Sequence, residues 1–335
     1  MREYRLIREA IKSFELNLNG YTVLTEAATG NYVWTPIIAA LAGAKVFAFS
    51  KDSRYGTFSK VKDKTEQHAR ELGVFEKIHV IDQLDKEVIH PADIITNTGF
   101  LRPLNKEKLQ YCKETVVIPL MYEAWEFRES DIDLAYCKQK KIPVFGTNES
   151  DPRLLTISYL GAVAKKALFL KGIEVFKSKI AVLGYGHFAE AIFNSLKLEA
   201  DLVEMWNKPG EVKQLDQLDA IVIADHQTDN LYLGKNGILS PEKIREENPD
   251  LIIIHVSGNV DEVGLEKYGL NVFPEKIAPP KWMSLTTDFA GPKPVIDLHT
   301  AGLKVGEGMS KTLKLALKEE AFLKVMLENY SVTTL

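Results

Sequence analysis

The residues best placed to do chemistry form a glycine turn, Gly184-Tyr-Gly186-His-Phe-Ala189. An apolar run at 180–183 precedes it, a helical pattern at 191–196 follows it, and a second apolar run closes the unit at 202–206. That order predicts strand, turn, helix, strand. Gly184 permits the tight turn, Gly186 lets a phosphate group approach the backbone, and Ala189 is small enough for the helix to pack on the strand. The unpaired amides of the helix N-terminus then face an anion. The chemistry that suits this arrangement is the holding of a dinucleotide pyrophosphate. His187 and Phe188 flank it at the turn, and Asp225 and His226 flank it at the end of the strand expected at 220–224.

The end of the second strand decides which dinucleotide fits. An acidic residue there ordinarily binds the adenosine ribose diol. In this chain Asn207 stands at that place, followed by Lys208. An amide does not match a carboxylate that accepts from both hydroxyls, and a nearby Lys favours a 2′-phosphate. The expected cofactor is therefore NAD(P), with a lean to NADP.

These residues need a scaffold. In the first half, strands are expected at 21–24, 44–49, 77–81, 93–96, 115–119 and 142–145, with helices at the N-terminus, at 31–41 and at 60–72. A long helix at 154–170, ended by Gly172, leads into the glycine-turn unit. Further strands follow at 251–254 and 270–273, and a final helix is expected over about 306–327. Strands alternating with helices predict parallel sheets covered on both faces. The fold class is α/β, with two doubly wound domains joined by long helices. A flavodoxin-like substrate domain takes 1–152 plus 305–335, and a Rossmann NAD(P)-binding domain takes 153–304. In open parallel sheets, ligands sit outside the carboxyl ends of the strands. The loops after Leu24, Phe49, Thr96 and Leu120 would thus share a cleft with the glycine turn, Asp225-His226, His255 and His299.

Composition narrows the function classes. A net charge of −4 over 335 residues gives no support for a nucleic-acid surface. No apolar run is long enough to span a bilayer, and the amphipathic N-terminus is not a signal peptide. The two cysteines, Cys112 and Cys137, match no metal spacing and read as reduced thiols of a cytoplasmic protein, with no metal expected.

Several segments follow one another in a recognisable order. They are Asp93-Ile-Ile-Thr96, Ile142-Pro-Val-Phe-Gly-Thr-Asn148, Gly184-Tyr-Gly186, Gly237-Ile-Leu-Ser-Pro-Glu-Lys-Ile244, Asn271-Val-Phe-Pro-Glu275 and His299-Thr-Ala-Gly302. Over roughly residues 90–310 the chain resembles the D-isomer-specific 2-hydroxyacid dehydrogenases. That family uses an Arg to hold the substrate carboxylate, a His to move the hydroxyl proton, and a Glu to hold the imidazole and raise its pKa. The resemblance places His299 on the His and Glu275 near the Glu. Where the family has its Arg, this chain reads His255-Val-Ser-Gly-Asn259, so the forked clamp is missing. Arg54, Arg102 and Arg128 are possible replacements, and His255 and Asn259 can hydrogen-bond a hydroxyl or carbonyl instead. Asn97 and Thr98, after the 93–96 strand, join them as substrate candidates. So do Glu123 and Arg128 of Met121-Tyr-Glu-Ala-Trp-Glu-Phe-Arg128, which replaces a glycine-containing substrate loop of the family. Thr25-Glu-Ala-Ala-Thr-Gly-Asn31, with Lys51 and Arg54 nearby, reads as a further polar-ligand loop.

The implied function is an NAD(P)-dependent oxidoreductase that moves hydride to or from a carbonyl or hydroxyl carbon of a small, acidic substrate in the cleft. Two alternatives stand beside it: an adenosylhomocysteine-hydrolase-like enzyme that uses bound NAD without net redox change, and a catalytically degenerate nucleotide-binding protein. The resemblance also implies a homodimer.

Overall fold

Nearly every apolar run of the sequence becomes a buried parallel strand. The computed structural model describes all 335 residues. Two units divide the chain: Met1–Leu154 with Pro292–Leu335, and Leu155–Gly291.

The first unit opens with α1 (Arg2–Ser13). It then alternates through β1 (Thr22–Glu26), α2 (Trp34–Leu41), β2 (Lys45–Phe49), α3 (Phe58–Glu71), β3 (Ile78–Ile81), α4 (Lys86–Ile89), β4 (Ile94–Ile95), α5 (Lys106–Leu109), β5 (Ile118–Pro119), α6 (Leu134–Lys140) and β6 (Val144–Thr147). Four strands pair in the order β3-β2-β1-β4, all parallel. The order continues to β5 through the Ile94–Val117 bridge and then to β6. The chain thus builds outward from β1 to β2 and β3 on one side, and outward through β4, β5 and β6 on the other. The reversal lies between β1 and β4. Successive residues of these strands point to opposite faces. Val23, Val46 and Ala48 enter one apolar core, and Leu24, Phe49 and Ile95 enter another.

The second unit contains α7 (Tyr159–Leu170), β7 (Lys179–Gly184), α8 (Gly186–Leu196), β8 (Leu202–Trp206), β9 (Ala220–Ala224), β10 (Leu231–Leu233), α9 (Pro241–Glu247), β11 (Ile252–Ser257), β12 (Asn259–Val260), α10 (Glu262–Lys267) and β13 (Asn271–Phe273). Its main sheet is parallel, in the order β13-β11-β9-β7-β8. Ile180, Val182, Val222 and Ile254 fill the core on one face, and Leu183, Ile221 and Ile253 fill the other. Burial on both faces is why these strands read as continuous apolar runs. Local chemistry sets the helix starts: Ser240 accepts from the Lys243 amide at 3.1 Å, and Pro241 occupies the first turn of α9.

The chain then returns to the first unit as α11 (Pro292–Leu313), α12 (Glu319–Asn329) and β14 (Val332–Thr333), which pairs antiparallel with β6. The sequence led us to expect one helix over about 306–327; the structure has two, and the first begins at Pro292. His299 is therefore helical and belongs to the first unit, not to a nucleotide domain ending at 304. The helix lies close against its unit. A Cβ added at Gly302 would come within 2.6 Å of Met121 Sδ, and one at Gly306 within 2.8 Å of Ile94 Cγ2. Gly is a poor helix former by about 1 kcal/mol, so local propensity places the start too late; packing overrides it. No helix is long and apolar enough to cross a membrane.

Candidate functional site

The glycine turn lies at the carboxyl end of β7, which runs between β9 and the edge strand β8 of the second unit's sheet. Gly184 passes so near β9 that a Cβ there would sit 2.1 Å from the Ala224 carbonyl oxygen and 2.9 Å from Ala189 Cβ. Gly186 has φ +69°, where L side chains are strained, and its bare Cα admits the Gln227 side chain, whose Oε1 lies 2.1 Å from where a Cβ would stand. The eleven-residue helix α8 starts at Gly186 with no side-chain cap on its N-terminus. Its first amides point outward with the positive end of the helix dipole. Gly184, Gly186 and Ala189 thus stand in the strand, turn and helix that the sequence leads us to expect. His187 and Phe188 stand on the first turn of α8. The His187 ring is 2.6 Å from the Gln227 side-chain amide, and Phe188 stacks on His226 at 3.8 Å between ring centroids. Burial, reinforced by His187, pulls His226 down to about 4, so its ring is neutral at ordinary pH.

Asp225 has a different role from the cofactor contact expected of it. It is 1% exposed. Its carboxylate accepts from the Gln227 amide at 2.7 Å, the Thr228 amide at 3.1 Å, the Thr228 hydroxyl, and the Tyr232 hydroxyl at 2.6 Å. These bonds fold the 225–232 loop onto the end of β9. Beside the carboxylate, the buried Tyr232 hydroxyl is pushed upward, chiefly by desolvation. A carboxylate so occupied shapes the loop and leaves little for a ligand.

His255 also departs from expectation. It is fully buried on β11. Nε2 lies 3.0 Å from the Gly258 carbonyl, which can only accept, so Nε2 carries the proton. Nδ1 lies 2.8 Å from Ser284 Oγ, which itself accepts from the Ala278 amide at 2.7 Å and turns its own proton to the ring. Both ring nitrogens are used, and burial lowers the pKa. His255 is thus a tie between two loops and not a substrate contact. Asn259 lies beyond it on β12, whose backbone pairs with β10.

At the end of β8 the missing acid reappears from farther along the chain. Glu211 Oε2 accepts from the Asn207 amide at 2.7 Å and the Lys208 amide at 3.0 Å. These two donors hold its carboxyl below the usual range. The Asn-Lys-Pro-Gly-Glu run is a turn that brings a carboxylate back onto the strand end. Its glycine and proline are the signal that a strand-end count alone overlooks.

In the first unit, His299 is 5% exposed and lies 2.6 Å from the Thr35 hydroxyl on α2. Thr35 has one hydroxyl proton, which it donates to the Tyr32 carbonyl at 3.1 Å. With that proton on the carbonyl, Nδ1 donates to Thr35 and the neutral ring carries its lone pair on Nε2. Burial pulls this histidine down to about 4. The resemblance leads to the opposite expectation, a carboxylate that holds the ring and raises its pKa. The Nδ1 partner is a hydroxyl, whereas Glu275 is an exposed residue of the second unit, in the loop after β13. An uncharged partner does not offset desolvation, so the direction reverses.

The remaining substrate candidates lie at the carboxyl edge of the first unit's sheet. The hydroxyls of Thr25, Thr96 and Thr98 form a buried chain at 2.8 and 2.9 Å. Asn97 donates to the Tyr122 hydroxyl at 2.5 Å, and Tyr122 donates to Asp131 at 3.1 Å. Arg102 reaches the same Asp131 oxygen at 3.2 Å, and Arg54 stacks on exposed Tyr55 at 4.7 Å. Glu123 accepts from the Glu149 amide at 2.8 Å, while burial raises the pKa of neighbouring Glu126 and Arg128 opposes that shift. Glu26, missed as a site residue although its loop reads as polar, ends β1. Burial pushes it up to about 7, against the Phe100 amide and Arg102, which pull it down.

A parallel five-stranded sheet with a bare glycine cradle at a helix N-terminus defines a Rossmann-type dinucleotide fold, here attached to a second doubly wound unit. No family model matches the chain, and no curated protein does. Solved structures do match. A dipicolinate synthase polypeptide from Bacillus halodurans is 12% identical with a TM-score of 0.53, over 90% of this chain and 99% of that one. Its namesake from Bacillus subtilis is 13% identical with a TM-score of 0.53, over 94% and 100%. An NAD-complexed D-isomer specific 2-hydroxyacid dehydrogenase from Lactobacillus delbrueckii ssp. bulgaricus is 10% identical with a TM-score of 0.44, over 93% and 100%. The fold is that of two-domain Rossmann-type proteins.

Proposed function

We propose that the protein is an oxidoreductase that binds a nicotinamide dinucleotide and transfers hydride to or from a carbonyl or hydroxyl carbon of a small, acidic molecule. The observation that carries this reading is the cradle: Gly184 against the Ala224 carbonyl, Gly186 at φ +69°, and the uncapped start of α8. Gly184, Gly186 and the first amides of α8 would hold the pyrophosphate, with His187, Phe188 and His226 around it. Glu211 would take the ribose diol and repel a 2′-phosphate, which supports NAD over the NADP suggested by Asn207 and Lys208. When bound, the nicotinamide supplies or accepts the hydride.

His299 is the proton carrier in this reading. Its ring is neutral with the lone pair on Nε2, so it takes a proton, which suits oxidation of a hydroxyl. The substrate end of the reaction belongs to the carboxyl edge of the first unit, with Asn97, Thr98, Glu123 and Arg128. A homodimer follows from the resemblance and is tested by sedimentation. The test of the function is titration of the full chain with NAD, NADH, NADP and NADPH by thermal shift and Trp fluorescence. Binding of NAD or NADH is expected; binding of none refutes the reading. A hydrolase-like cycle is distinguished by turnover with no net change in NADH.

A further inference from the structure

We propose that Gln227 is a built-in cover for the glycine cradle: its side-chain amide holds the place beside Gly186 that a pyrophosphate oxygen takes, and a dinucleotide binds by displacing it. This rests on the proposed function and adds a controlling contact to that same site.

The first observation is position. The three heavy atoms nearest to where a Gly186 Cβ would stand all belong to Gln227: Oε1 at 2.1 Å, Cδ at 2.6 Å and Nε2 at 3.1 Å. A bare glycine at a helix N-terminus is what lets a phosphate group lie against the backbone. Here the amide lies in that space. Two groups cannot fill it together, so the amide and a phosphate oxygen compete for Gly186.

The second observation is chemical. Gln227 Nε2 is 2.6 Å from His187 Nε2. Of these two nitrogens only the ring nitrogen can accept, so the amide donates there and its oxygen is left on the Gly186 side. Gly186 is the first residue of α8, where the helix dipole is positive and Tyr185 supplies no side-chain cap. Oε1 therefore carries the negative end of the amide to the place that suits an anion. It is a neutral stand-in for a phosphate oxygen, and a charged oxygen outcompetes it.

The third observation is the anchor. Strands β7 and β9 are neighbours, with Gly184 opposite Ala224, so Gln227 and Gly186 come off adjacent strand ends. The Gln227 amide donates to Asp225 at 2.7 Å, and the same buried carboxylate holds Thr228 and Tyr232. Asp225 thus fixes where the Gln227 side chain starts. The side chain itself is exposed, and its torsions remain free to swing it off the turn. One exposed hydrogen bond holds it in place, so the cover lowers affinity without blocking the site. The uncovered fraction sets the apparent affinity.

The experiment is isothermal titration of the full chain with NAD and NADH, using wild type, Gln227→Ala, Gln227→Asn and Gln227→Glu. Gln227→Ala and Gln227→Asn are expected to bind about three- to tenfold more tightly, the gain from no longer breaking one exposed hydrogen bond. Ala has no amide, and Asn is one carbon too short to reach both Gly186 and His187. Gln227→Glu is expected to bind about tenfold more weakly, because it sets a carboxylate against the pyrophosphate. Circular dichroism and the urea midpoint should be unchanged in all three, since the backbone bond to Asp225 is kept. Weaker binding by Gln227→Ala would make Gln227 a ligand of the nucleotide and overturn the proposal. Indistinguishable affinities in the four proteins would sink the cover and leave the oxidoreductase reading standing. No nucleotide binding by any of the four would sink both.

Discussion

Replacing His299 with Gln tests the central electrostatic claim about the acid/base residue. The ring is 5% exposed, and its pKa is held near 4 in the folded protein. On unfolding it returns to about 6.5. Between those two values the unfolded chain binds a proton that the folded chain refuses. Stability is therefore whole above about pH 6.5 and is lost as pH falls toward 4. At about 1.4 kcal/mol per unit, this one residue removes on the order of 3 kcal/mol across the window. His299→Gln cannot titrate. Gln still offers an amide proton to Thr35 but fills the site less well, so at pH 7.5 the variant should be less stable by about 1–2 kcal/mol. As pH falls to 4.5 the wild type loses stability faster, so the gap should close and then reverse. Urea unfolding at half-unit pH steps measures this through the midpoint at constant m. His226, which is also held down to about 4, is present in both proteins and cancels in the difference. Parallel stability curves for the two proteins would refute the buried, neutral imidazole and with it the assignment of His299 as a proton acceptor.

Four further outcomes follow from the same geometry. Gly186→Ala places a Cβ 2.1 Å from Gln227 Oε1 at φ +69°, with a strain of about 1–2 kcal/mol, and should weaken nucleotide binding about tenfold or more while circular dichroism is unchanged. Glu211→Gln should raise the affinity for NADP relative to NAD in paired titrations, because it removes the carboxylate beside the Asn207 and Lys208 amides. Tyr232→Phe should destabilise by about 1–3 kcal/mol in urea, since it withdraws a buried donor from the Asp225 carboxylate. His255→Ala should destabilise by about 2–4 kcal/mol in urea, leaving the Gly258 carbonyl and the Ser284 hydroxyl without their imidazole partner.

Much of the architecture was legible because its signals are local. Ile180, Val182, Val222 and Ile254 are buried on one face while Leu183, Ile221 and Ile253 are buried on the other, and such two-faced strands write themselves as apolar runs. Helix α11 was less legible. Its glycines at 302 and 306 depress local propensity, and only contact with Met121 and Ile94 explains them. Glu211 was readable in principle from the turn residues before it, but a count from Gly184 stops four residues short.

The sequence by itself determined the glycine turn, because the demands on Gly184, Gly186 and Ala189 are met within one strand-turn-helix segment. It also nominated the histidines. Only the tertiary structure decided what each histidine does. His255 was turned into a tie by Gly258 and Ser284, while His299 was left neutral by burial, with Thr35, a residue 264 positions away, as its Nδ1 partner. Glu26 owes its raised pKa to burial, against which the Phe100 amide and Arg102, more than 70 residues downstream, pull it down. A side chain's type is written in the chain, but its protonation and free hydrogen-bonding capacity depend on burial and partners, and those come from residues that only the fold brings together.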